Sequence, residues 1–106
     1  MYTVKLTSDA DHDIHQIVVF IHLESKDRDT AISYLDLLEE SVLSLERLPE
    51  RGSKPRYKIL SNQGYRFLIA KSHLIFYKVD QENKIVTIYR VLHNKSQYQN
   101  FLWAYT

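Results

Sequence analysis

The spacing of the apolar residues changes once along this 106-residue chain, and that change limits the fold more than any other feature. Before Leu48 they recur at helical spacing: Ala10, Ile14, Ile17, Val18 and Ile21, then Ala31, Leu35, Leu38, Val42 and Leu45 at steps of four and three. After Glu50-Arg51-Gly52-Ser53-Lys54-Pro55 the alternation has period two. A helical stripe buries one side of a cylinder, while period two buries one face of a sheet. The two halves therefore need each other to form a core, which predicts an α+β fold: a helical hairpin packed on an antiparallel β-sheet.

The pattern also places the elements. Tyr2-Thr3-Val4-Lys5-Leu6-Thr7 alternates and is rich in β-formers, so an N-terminal strand is expected there, paired with a later strand. Ser8 or Asp9 is positioned to cap the first helix, and Lys26-Asp27-Arg28-Asp29 forms the turn to the second. Pro49 disfavours helix in the residue before it, so the second helix should stop near Leu48. Further strands are expected over residues 56–60, 65–70, 73–79 and 84–92, followed by a short C-terminal helix over 96–104. A single domain covering 1–106 has room for one core.

Composition removes several classes of function. With zero Cys, disulfides, thiolate catalysis, iron–sulfur clusters and Cys-based zinc sites are all excluded. The longest apolar run, Ile17-Val18-Val19-Phe20-Ile21, is too short to span a bilayer, and the N-terminus lacks the features of a signal peptide. A cytoplasmic protein with no membrane partner and no cofactor is the expectation. The formal charge of +1 conceals a split. Residues 1–50 hold four Lys/Arg against eleven Asp/Glu, a net −7, and residues 51–106 hold ten against two, a net +8. Either the basic half presents a surface to an acidic partner, or the halves pair across the fold; the two are compatible.

Few motifs carry chemistry. His12, His15 and His22 share a helical face but lack the converging third or fourth ligand of a metal site, so no metal is expected. Two Gly residues provide no phosphate-binding loop, and no Ser sits on a nucleophile elbow. The sheet half is richer. Arg66 and Arg90 lie within expected strands, His93 ends the last one, and Tyr98 follows five residues later. Arg, His and Tyr on one sheet face can hold phosphate, stack on bases or move protons on RNA. Alternatively, Arg66 pairs with a helix carboxylate such as Glu46, while His93 and Tyr98 cap the sheet.

Several runs, in order, resemble the RelE/ParE toxin superfamily: Ala10-x-x-Asp13-Ile14-x-x-Ile17-x-x-Phe20-Ile21, Leu48-Pro49-x-x-Gly52, Gly64-Tyr65-Arg66-x-Leu68, Leu74-Ile75-Phe76-Tyr77-x-Val79 and Val86-x-Ile88-x-Arg90-Val91-Leu92-His93. The resemblance covers residues 3–102. It implies the toxin of a bacterial type II toxin–antitoxin module, neutralised by a cognate antitoxin. Two targets follow from it: DNA gyrase for the ParE branch, which acts by binding, or the ribosome and its mRNA for the RelE branch of endoribonucleases. The ribonuclease branch usually has an Arg where this chain has Leu74, and some members have a Glu where it has Arg56 after Lys54-Pro55. These departures favour the ParE-like branch, and the near-zero net charge agrees with it. If the chain is a nuclease, the catalytic candidates are Arg66, Arg90, His93 and Tyr98. With Lys54 and Arg56 the same residues are candidates for contacting target, nucleic acid or antitoxin. A non-toxic binding domain that retains only the fold is a third reading.

Overall fold

The computed structural model describes residues 1–93; the helix expected over 96–104, and Tyr98 within it, lie outside them. The described elements are β1 (Thr3–Leu6), α1 (Ser8–Ser25), α2 (Arg28–Leu43), a single 3-10 turn (Ser44–Glu46), α3 (Lys58–Asn62), β2 (Arg66–Ala70), β3 (His73–Asp80) and β4 (Ile85–His93). The α+β architecture is the one expected.

The helical hairpin is set by its caps. Thr7, rather than Ser8 or Asp9, caps α1: its hydroxyl accepts the Ala10 N–H at 3.1 Å and donates to the Tyr89 carbonyl at 3.0 Å, tying helix start to sheet. Lys26, in the left-handed region at φ 54°, ends the helix by donating its N–H to the His22 carbonyl. Asp27 then caps α2 by accepting from the Asp29 N–H at 3.1 Å and the Thr30 hydroxyl at 2.8 Å. The α-helix stops at Leu43, short of the expected Leu48, and the 3-10 turn delivers the last residue of the stripe, Leu45, into the core.

Strand order in the sheet is β1-β4-β3-β2. β2, β3 and β4 are antiparallel, and β1 adds to β4 in parallel with Val4 opposite Val86. Alternation in a sequence has no direction, so only the fold could show that the first strand runs parallel.

Both faces of the sheet are covered. Against the helices lie Leu68, Ile75, Tyr77, Val86, Ile88 and Val91, packed on Ala10, Leu38, Val42 and Leu45. On the other face Leu74, Phe76 and Leu92 pack on Leu60 and Tyr65. A bulge in β4 makes the assignment possible: Tyr77 pairs with Ile88 and Phe76 with Arg90, leaving Tyr89 as the extra residue. The strand's inward positions therefore shift from even numbers to odd after it.

The strand expected over 56–60 is a helix instead, so α3 corrects that expectation. Five residues are too few for period to separate strand from helix. The deciding feature is Gly64, at φ 90°: Gly64 N–H bonds the Ser61 carbonyl and Tyr65 N–H the Leu60 carbonyl, the paired bonds of a glycine-terminated helix. This ending drives Leu60 onto the sheet.

Gly52 matters for a different reason. Its N–H donates to the buried Tyr77 hydroxyl at 2.9 Å, and a Cβ there would lie 2.5 Å from that hydroxyl and 2.7 Å from the Phe67 carbonyl. Burial pushes the Tyr77 pKa upward, and the Gly52 hydrogen bond opposes that shift. Gly52→Ala is therefore expected to lower stability by about 2 kcal/mol through overpacking, and Tyr77→Phe by about 1 kcal/mol through the lost hydrogen bond. Because the hydroxyl is the first atom the new methyl meets, the double variant should lose less than the sum in urea unfolding.

Candidate functional site

Arg90 is positioned by the end of β1. Pairing of β1 with β4 stops at Leu6 opposite Ile88, and beyond that point α1 takes over the edge of β4. Asp13 of α1 replaces the missing strand by accepting the Val91 N–H at 2.9 Å. The same carboxylate accepts the Arg90 Nε at 2.7 Å and Nη2 at 3.1 Å. The pair is mostly enclosed, with 25% of the Arg90 and 13% of the Asp13 side chain exposed. Such a forked, charge-assisted contact holds helix to sheet.

Arg66 acts as a strap. Its Nη1 donates to the Gly52 carbonyl at 2.9 Å and reaches the Glu50 carbonyl at 3.4 Å, while Nη2 lies 3.8 Å from the Glu50 carboxylate. The carboxylate partner is thus Glu50, where the sequence pointed to Glu46. By register Arg66 stands opposite Tyr77 and Arg90 opposite Phe76, neighbours on β3 that face opposite sides of the sheet. The structure does not bring the two arginines into one constellation. Lys54 and Arg56 are exposed on the segment before α3, with the Arg56 guanidinium 5.8 Å from the centre of the Tyr57 ring. His12, His15 and His22 are exposed on α1.

His93 has different company. It ends β4 directly opposite His73, the rings edge to face with centres 5.6 Å apart. His73 Nδ1 is 2.6 Å from the Tyr34 hydroxyl and 3.4 Å from Ser72 Oγ, and the Tyr34 hydroxyl also lies 3.2 Å from the Ala70 carbonyl. Together with Gln16, Ile17, Phe20 and Ile21, these side chains line a cleft of about 600 Å³ between the hairpin and the end of the sheet. Burial, and then the neighbouring His93, lower the His73 pKa. The cleft therefore sets imidazole and phenol groups in hydrogen-bond reach of one another above an apolar wall, an arrangement that can pass a proton. His73 and Tyr34 were not sequence candidates: they lie 39 residues apart, and only the β3–β4 register sets His73 against His93.

Two outcomes follow. Asp13→Ala should cost about 2 kcal/mol, because it leaves Arg90 without this carboxylate and the Val91 N–H without its acceptor. Asp13→Asn, which keeps an acceptor for Val91, should cost about half as much by chemical denaturation. Since the folded state lowers the His73 pKa, the unfolded chain binds the proton more tightly. The stability this group contributes is therefore present above about pH 6.5 and is lost as pH falls below it. His73→Gln should flatten the fall in thermal midpoint between pH 7 and pH 5 relative to the unaltered chain.

Comparison with known proteins agrees with this architecture. Residues 4–98 match the family described as ParE toxin of type II toxin–antitoxin system, parDE. A chain from the chromosomal ParDE toxin–antitoxin system of P. aeruginosa is similar in structure with a TM-score of 0.72 and 19% identity, covering 88% of this chain and 96% of that one. A chain of the RelBE2 toxin–antitoxin complex from Mycobacterium tuberculosis is similar with a TM-score of 0.63 and 26% identity, covering 87% and 96%. Comparison with curated proteins gives no match. With the family match running over nearly the whole length, the chain belongs to the ParE toxins of type II toxin–antitoxin systems.

Proposed function

We propose that this toxin acts by binding DNA gyrase and trapping it on cleaved DNA, in the cytoplasm, and that a cognate antitoxin holds it in check. The observation that carries this reading is the engagement of both candidate phosphate-binding arginines inside the fold. Arg90 is gripped by Asp13 and Arg66 by the Glu50–Gly52 strap. A ribonuclease needs cations whose donors point at the phosphate where charge builds up. Leu74, at the position where the ribonuclease branch usually has its Arg, is buried and packs on Leu60 and Tyr65. Among the described residues no helix is long and apolar enough to cross a membrane, which is consistent with the cytoplasmic part of the proposal. The antitoxin partner is supported by the family and by the two toxin–antitoxin structures.

One observation favours the mRNA endoribonuclease instead. His73, His93 and Tyr34 converge on a cleft and are groups that can serve as acid and base. The two readings separate in one pair of assays on purified protein: DNA supercoiling by gyrase, and primer extension on mRNA in a translating extract. Inhibited supercoiling without codon-phased cuts is the expected result; codon-phased cuts with gyrase unaffected would overturn the proposal. In cells, growth arrest should survive His93→Ala combined with Tyr34→Phe, whereas a nuclease using the cleft would lose it.

A further inference from the structure

The chain has five histidines, and the fold sorts them into two groups. His12, His15 and His22 lie exposed along α1. His73 opens β3 and His93 closes β4, so the open end of that hairpin carries a histidine on each strand. Directly opposed positions in an antiparallel pair hold their Cβ atoms about 5 Å apart, close enough for two side chains to grip one small body. The ring centres are 5.6 Å apart at an interplanar angle of 86°. Two imidazoles bound to one tetrahedral zinc ion, with bonds of about 2.1 Å, keep their ring centres roughly 5 Å apart. The pair already stands near that spacing, and a turn of one ring about its soft χ2 torsion aims both at a common point.

Tyr34 prepares His73 for that role. Its hydroxyl donates to the Ala70 carbonyl at 3.2 Å and lies 2.6 Å from His73 Nδ1. With the phenol proton directed at the carbonyl, the phenol oxygen accepts from Nδ1–H, an order that assigns the ring's lone pair to Nε2. A metal-binding imidazole characteristically spends its other N–H in this way. The Tyr34 ring also meets the His73 ring edge-on, with centres 5.5 Å apart, and fixes its seat.

The surroundings select the ion. Among the described residues no third His, Asp or Glu converges with the pair, so water fills the remaining coordination positions. The cleft, at about 600 Å³, has room for it. Imidazole without carboxylate suits zinc, nickel and copper, whereas magnesium and calcium demand oxygen ligands. We infer that His73 and His93 form a two-histidine clip that binds a divalent transition-metal ion at the open end of the β3–β4 hairpin, with Tyr34 as the positioning residue. The ion ties the two strand ends together and occupies the polar end of the cleft. The inference goes beyond the gyrase reading and is independent of it, because it needs only the fold.

Calorimetric titration of the full, untagged chain with Zn²⁺ and with Cu²⁺ tests it. One ion should bind per chain, Cu²⁺ more tightly than Zn²⁺, and Mg²⁺ should give no binding heat. Zn²⁺ should raise the thermal midpoint, and a chelator should reverse the rise. His73→Gln and His93→Gln should each abolish binding while circular dichroism shows an intact fold. Tyr34→Phe should weaken it about tenfold. His12→Gln combined with His15→Gln, which removes the neighbouring pair on α1, should leave it unchanged. On the unaltered chain, nitrogen-15 spectra of the histidine rings should show Zn²⁺ shifting Nε2 of His73 together with His93, a readout that needs no variant to fold. Binding that survives His73→Gln or His93→Gln overturns the inference, as does binding lost with the α1 pair. So does a titration without binding for either ion, or a Zn²⁺ shift confined to the α1 histidines.

Discussion

The Asp13 carboxylate is the contact on which the rest of the arrangement depends. It receives two donors from Arg90 and one from the Val91 backbone at the point where β1 ends and β4 continues. One side chain thus joins the acidic helical half to the basic sheet half and satisfies a strand edge that the sheet leaves open. It lies six residues beyond the Thr7 cap, which binds the same strand at Tyr89. The first turns of α1 are therefore fixed to β4 at two places, and the hairpin follows from there. That attachment also sets the width of the cleft lined by Ile17 and Phe20 on one side and His73 and His93 on the other.

The same contact changes what the cations of the chain mean. Arg66 and Arg90 look like a paired site in a sequence, but each is matched to its own partner inside the fold. Exposed positive charge gathers instead on Arg51, Lys54 and Arg56 before α3, on Lys58 at its start, and on Lys71 in the hairpin turn, among other exposed cations. Of the two explanations for the charge split, pairing across the fold is the one seen. Asp13–Arg90 and Glu50–Arg66 join the halves, and the surplus remains as a basic border beside β2.

Much of the architecture was legible in the pattern of residues. The helical stripes ending in Leu45, the alternation in His73 to Val79 and the reversals at Lys71 and Asp80 all correspond to what is seen. The family resemblance carried by Gly64-Tyr65-Arg66 and the Leu-Ile-Phe-Tyr run was sound as well. The segment at 56–60 was not legible, because Gly64 signals a turn equally well after a strand or after a helix. The site was the least legible part. His93 was found as a strand-end histidine, but Tyr34 and His73 acquire meaning only from the β3–β4 register and the seating of α2.

By itself the sequence determined which residues are apolar, at what period, and with what charge, and so which elements form and that neither half can bury its core alone. Only the tertiary structure decided the parallel direction of β1, the bulge at Tyr89 and the partners of Arg66 and Arg90. It also decided the meeting of Tyr34, His73 and His93. The reason is physical. Period and propensity act over a few neighbouring residues, whereas register, edges and ion pairs are settled by groups far apart in the chain that compete for the same hydrogen bonds.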